Sequence, residues 1–136
     1  MFCFILLVLS GCASGPKYTE MLSRIPELSQ DNGRIYLYRS TTFGAALQPT
    51  IKINNNIVGE SIARGFVYVD RPAGTYLVET STEDDGRISV NLEKGRTKYV
   101  RLGVGFGLLV GRVYPELVDE KLGASEIMDL SYTGRL

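Results

Sequence analysis

Cys12 has the richest chemistry in this sequence. It ends the apolar stretch MFCFILLVLSG and is followed by Ala13-Ser14-Gly15-Pro16. Cysteine acts as a thiolate nucleophile, and small Ser10 and Gly11 leave the peptide bond before it open to a cutting enzyme. The chain contains no His, so Ser-His-Asp or Cys-His catalysis and a His-ligated zinc site are out of reach. One acidic cluster, Glu83-Asp84-Asp85, could in principle do acid–base work or hold calcium. It sits beside Gly86 in a turn, and three adjacent acids lack the alternating oxygen spacing of a calcium loop, so it is read as a solvated turn. Arg39, at the end of RIYLYR, is expected to pair with Asp70 or Glu79 across a sheet; the alternative is a ligand-facing position. Tyr36 and Tyr38, among eight tyrosines, offer flat surfaces on which a sugar could stack. Tyrosine is also favoured in strands by packing alone, which is the plainer reading. Lys+Arg and Asp+Glu both total 15, without the basic excess expected of a nucleic-acid binder. No metal, cofactor or catalytic role is assigned.

The apolar stretch before Cys12 is about half the ~20 residues that a membrane-spanning helix needs. It is the length of a secretory-signal core. Leu9-Ser10-Gly11-Cys12 resembles the lipobox of bacterial lipoproteins, in which a diacylglycerol joins the cysteine sulfur and a peptidase cuts before that cysteine. The resemblance implies a signal peptide over 1–11, a lipid on Cys12 and a membrane as first partner. A single acyl chain binds a membrane only marginally, whereas two or more hold stably. No Lys or Arg precedes the apolar run, so the signal is expected to begin upstream of Met1. Cys3 would be discarded with it, leaving no pair for a disulfide. Ala13 stands where enterobacterial lipoproteins retained in the inner membrane carry Asp; by resemblance it favours the outer membrane, facing the periplasm.

Beyond Cys12, residues 12–32 suggest a tether containing a short helix, with Thr19 as its cap and Met21, Leu22, Ile25 and Leu28 as an apolar stripe interrupted by Pro26. That stripe is expected to pack on the following domain. From residue 33 the apolar period changes from helical to alternating. RIYLYR (34–39) puts Ile35 and Leu37 on one face and Tyr36 and Tyr38 on the other. TIKIN (50–54), IVG (57–59), GFVYVD (65–70), TYLVETST (75–82), RISVNLE (87–93) and RTKYVRLGV (96–104) follow. Turns are expected at Asn55-Asn56, at Arg71-Pro72-Ala73-Gly74 with Gly74 at positive φ, at 83–86 and at Lys94-Gly95. Strands at this spacing predict an all-β domain over 33–136, a small antiparallel sandwich of about seven strands. Pro115 to Leu130, with Leu117, Val118, Leu122 and Ile127, is expected to form a short helical cover. In GVGFGLLVG (103–111) the glycines alternate with apolar residues. The stretch is either a strand whose glycines admit a neighbour or a hairpin whose Phe106, Leu108, Leu109 and Val110 form an exposed contact tip.

YLYR (36–39), INNNIVG (53–59), FVYVDRPAGTY (66–76) and LEKGRTKYVRL (92–102), in this order, resemble bacterial lipoproteins built on the domain of unknown function 2846. The resemblance spans about residues 33 to 130. It implies a small β-sandwich and no known activity. The expected function is a non-enzymatic interaction or scaffolding module of the cell envelope, with an envelope protein as partner. A module binding peptidoglycan or surface polysaccharide is the alternative, and an enzyme is the least favoured reading.

Overall fold

Asn32–Tyr38 forms β1, the central strand, because its β-branched and aromatic residues suit a position buried on both faces. The computed structural model describes residues 11–81, 86–106 and 111–134, and not the side chain of Phe106. Among these the remaining strands are β2 (Thr50–Ile53), β3 (Asn56–Glu60), β4 (Gly65–Pro72), β5 (Gly74–Thr80), β6 (Arg87–Leu92), β7 (Thr97–Phe106), β8 (Gly111–Val118) and β9 (Ser131–Tyr132). They form two sheets, ordered β8-β7-β1-β4-β9 and β3-β2-β5-β6. The all-β sandwich is as expected, with nine described strands rather than about seven. Two pairings depart from antiparallel: β1 with β7 and β4 with β9 are parallel.

Ile35, Leu37, Ile51, Ile53, Val67, Val78, Val90, Leu92, Val100, Leu102 and Val113 fill the space between the sheets. Tyr36, Tyr38, Phe66 and Tyr99 face the other way, under a third layer that includes Met21, Ile127 and Leu130. That layer contains α1 (Tyr18–Met21), α2 (Glu120–Glu126) and a 3-10 turn at Ile127–Asp129. The alternation predicted for 34–39 therefore separates two cores, not a core from solvent.

Several local expectations change. The cap of α1 is Lys17, not Thr19, and α1 is a single turn. Met21 of the predicted stripe is buried, whereas Leu22 is exposed. The β2–β3 hairpin turns on Asn54 and Asn55, at φ 47° and 65°, one residue earlier than expected. Two left-handed residues match the twist of a tight hairpin, and Asn tolerates that geometry. Gly74 is not at positive φ and begins β5, so the turn after Pro72 needs no glycine geometry; Gly95, at φ +75°, does supply it in the turn between β6 and β7. Pro115–Val118 belongs to β8 and not to a helical cover. Proline is tolerated there because β8 is an edge strand. The helix starts one residue after Asp119, whose side chain accepts from Leu122 N at 2.9 Å, a standard N-cap bond. Both the acidic turn Glu83-Asp84-Asp85 and the tip residues Leu108, Leu109 and Val110 lie outside the described residues.

Candidate functional site

The residues singled out by the sequence gather at the end of the sandwich where β1 finishes and β4 begins. Tyr38 pairs with Phe66 there, and Arg39 N donates to Gly65 O at 3.0 Å. Arg39 is wholly buried. Its guanidinium donates through Nη1 to Leu47 O (2.5 Å) and Ser61 O (3.0 Å), and through Nη2 to Phe43 O (3.1 Å) and Gly44 O (2.6 Å). A planar fork of N–H groups can collect several carbonyls in this way. The loop from Ser40 to Pro49 is thereby wrapped around one cation. Neither Asp70 nor Glu79 is its partner, which corrects the expected cross-sheet pair. Burial lowers the Arg39 pKa, though a guanidinium remains charged at neutral pH. Its Nε, like Ser61 Oγ, is buried without a hydrogen-bond partner among the described residues.

Asp70 instead pairs with Arg34: Nε to Oδ1 at 2.7 Å and Nη2 to Oδ2 at 2.9 Å. Arg34 Nη2 also donates to Pro26 O at 2.6 Å, and its guanidinium lies 5.1 Å from the centre of the Tyr68 ring. The hydrogen bond to Asp70 raises the Arg34 pKa further above its ordinary value. A second network ties four elements together, β1, β7, β8 and α2. Tyr38 Oη donates to Glu126 Oε1 at 2.9 Å, Arg101 Nη1 donates to the same oxygen at 2.8 Å, and Arg101 Nη2 reaches Glu116 Oε2 at 3.3 Å. These are structural braces with paired charges. Sequence reading missed the second one because its members share no motif and are far apart along the chain.

Tyr36 and Tyr38 are buried, as Arg39 is, so none of the three is ligand-facing. Tyr36 stacks on Tyr99 at 5.3 Å and meets Tyr18 edge-on at 5.9 Å. Burial pushes the Tyr99 hydroxyl up to about 12 and raises those of Tyr36 and Tyr38 further, with Glu126 adding to the effect at Tyr38. The rings that could have stacked on a sugar are spent on packing against each other. Of the expected contact tip, only the backbone of Phe106 is described, at the end of β7. Gly103 does admit a neighbour: a Cβ there would lie 2.7 Å from the Tyr114 ring.

Cys12 is exposed and sits where the described fold begins. It bridges to buried Ala63 in parallel, and Ala13 N donates to Ala63 O at 2.9 Å. Tyr132 N then donates to Pro16 O at 2.8 Å, Lys17 bridges to Ser131, and Tyr18 N donates to Leu130 O at 2.8 Å. Residues 12–18, expected as part of a tether, are thus stitched to the body of the domain. An open groove beside Cys12 is lined by Ser14, Gln48, Ile62, Tyr132 and Thr133. Among the described residues no group of His, Cys, Asp and Glu is placed to hold a metal ion, and no helix is long and apolar enough to cross a membrane.

Residues 29–111 match a family described as "Protein of unknown function (DUF2846)". A Haemophilus influenzae protein described as uncharacterized is 30% identical over 134 residues, covering 93% of this chain and 79% of that protein. No solved structure matches the chain. The family match covers β1 to β7, including the Arg39 clamp and the Arg34–Asp70 pair. The chain belongs to the DUF2846 family of proteins of unknown function.

Proposed function

We propose that this protein is a lipid-anchored component of the bacterial cell envelope, held through Cys12 and acting as a non-enzymatic interaction module. The observation that carries the reading is Cys12 itself. It follows Leu9-Ser10-Gly11 and is solvent-exposed where the described fold begins, so a lipid there would meet no steric obstacle from the fold. Ala13 favours the outer membrane, with the domain facing the periplasm. The partner is an envelope protein; the burial of Tyr36, Tyr38 and Tyr99 removes the main support for sugar stacking.

The test begins with expression from the natural gene with its full upstream sequence. Mass spectrometry should find acyl chains on an N-terminal Cys12, and Cys12→Ser should leave the protein unlipidated, either released or stranded with its signal uncut. A wild-type chain bearing free Cys12 would reject the anchor. Crosslinking in intact cells should then recover a protein, while purified sacculi should not retain the domain. Retention on sacculi would favour the glycan-binding alternative.

A further inference from the structure

Between Cys12 and the fold there is no slack. The Cys12–Ala63 bridge, the Ala13–Ala63 bond and the Pro16–Tyr132 bond fix the chain from Cys12 onward. A lipid on the Cys12 sulfur would hold the sandwich directly at a bilayer and in one orientation, whereas a slack tether would let it tumble. The surface beside Cys12 suits such contact. The chain carries no charged residue from Ser40 to Ile51, and Gln48 Nε2 donates to Gly11 O at 3.3 Å. Gly11 is on the discarded side of the proposed cut, so this bond reports only that the loop lies alongside Cys12. Phe43 is 51% exposed in that loop. The Arg39 guanidinium grips the carbonyls of Phe43 and Gly44, so the ring is presented from a fixed backbone.

We propose that the loop from Ser40 to Gln48, led by Phe43, docks against the lipid surface that holds Cys12, so that this end of the sandwich rests on the bilayer. The inference rests on the lipid reading of Cys12. The two chains of a diacylglycerol on Cys12 already suffice for stable anchoring; the uncharged loop led by Phe43 adds a second point of contact that fixes which end of the sandwich faces the bilayer. Lys94 marks the far end: neighbouring Gly95 donates to Asn32 O, at the start of β1. The length of β1 alone is roughly 20 Å, well beyond the ~5–10 Å over which interfacial groups are buried.

The sequence has no Trp, so single tryptophans introduced by Phe43→Trp and by Lys94→Trp are unambiguous reporters. Each full-length lipidated variant is purified from membranes and reconstituted into phosphatidylethanolamine–phosphatidylglycerol vesicles with brominated acyl chains. The indole at position 43 should emit at shorter wavelength and lose most of its intensity, while the indole at position 94 should behave as in water. Should Phe43→Trp disturb folding, Ala46→Trp, exposed in the same loop, gives the same measurement. Equal quenching at both ends, or none in the loop, overturns the docking when mass spectrometry of the same preparation finds acyl chains on Cys12; the lipid reading then stands. If no acyl chain is found on Cys12, the lipid reading fails and the docking falls with it.

Discussion

Among the described residues, Arg39 is a buried cation neutralised by dipoles and not by a carboxylate. Four carbonyls converge on it, contributed by Phe43, Gly44, Leu47 and Ser61. Each would be left without this donor if the guanidinium were removed, and an unsatisfied buried acceptor costs about 1–3 kcal/mol. Arg39→Leu should therefore destabilise the domain by at least ~3 kcal/mol in urea unfolding. Hydrogen exchange should rise first in residues 40–49, since the loop loses its centre. Arg39→Lys should cost less, because an ammonium keeps three donors but lacks the planar fork. An unchanged melting curve for Arg39→Leu would show that the loop holds itself. No sequence motif marks such a clamp. The residue type hinted at a charge partner, but the acceptors are backbone atoms, which every residue carries, so Asp70 and Glu79 were the natural and mistaken candidates.

At the scale of elements, α2 owes its position to a residue without a side chain. Gly123 faces Tyr99 so closely that a Cβ would overlap the ring, and Tyr99 is itself buried against Tyr36. In an exposed helix Gly→Ala gains up to about 1 kcal/mol. Here overpacking, which costs roughly 1–3 kcal/mol, should win. Gly123→Ala is expected to lower the melting temperature by several degrees and to change the near-UV signal of the tyrosines; a rise in stability would mean that the helix simply shifts outward. Elements with strict alternation were legible: β1, β6 and β7 stand within a residue or two of where Ile35-Leu37, Ile88-Val90-Leu92 and Val100-Leu102 placed them. β8 was not, because Pro115 in GRVYPELV argues against a strand unless the edge position is known. β9, only two residues long, has no period to read.

For the whole molecule, the aromatic layer sets a limit at high pH. Tyr99 is pushed up to about 12, and Tyr36, Tyr38 and Tyr132 are also raised, by burial first in every case. Unfolded tyrosines ionise near 10, so above that pH the folded chain holds more protons than the unfolded one. Stability then falls as pH rises. It should be flat with respect to these groups below about pH 10 and decline through the folded-state values. A tyrosinate absorbance titration should show a late, cooperative step that coincides with loss of secondary structure. Independent ionisation of all eight tyrosines near their ordinary value would contradict the packed layer. The sandwich, its family and its two short helical segments were legible from strand order, turn residues and apolar spacing, but which sheet face the helices cover was not. Tyr36 and Tyr38 alternate with Ile35 and Leu37 whether their face meets water or helices, and alternation alone cannot say which.

The stitching of residues 12–18 to Leu130, Ser131 and Tyr132 has a consequence in time. Cys12 and Ala13 meet Ala63, midway along the chain, but residues 16–18 dock on Leu130, Ser131 and Tyr132, so the stitch is incomplete until the strand at 131–132 has formed. Contacts of such long sequence separation form late because loop closure must come first. The N-terminal stretch is therefore among the last parts of the fold to close, and pairing of the strand at 131–132 is the event that closes it.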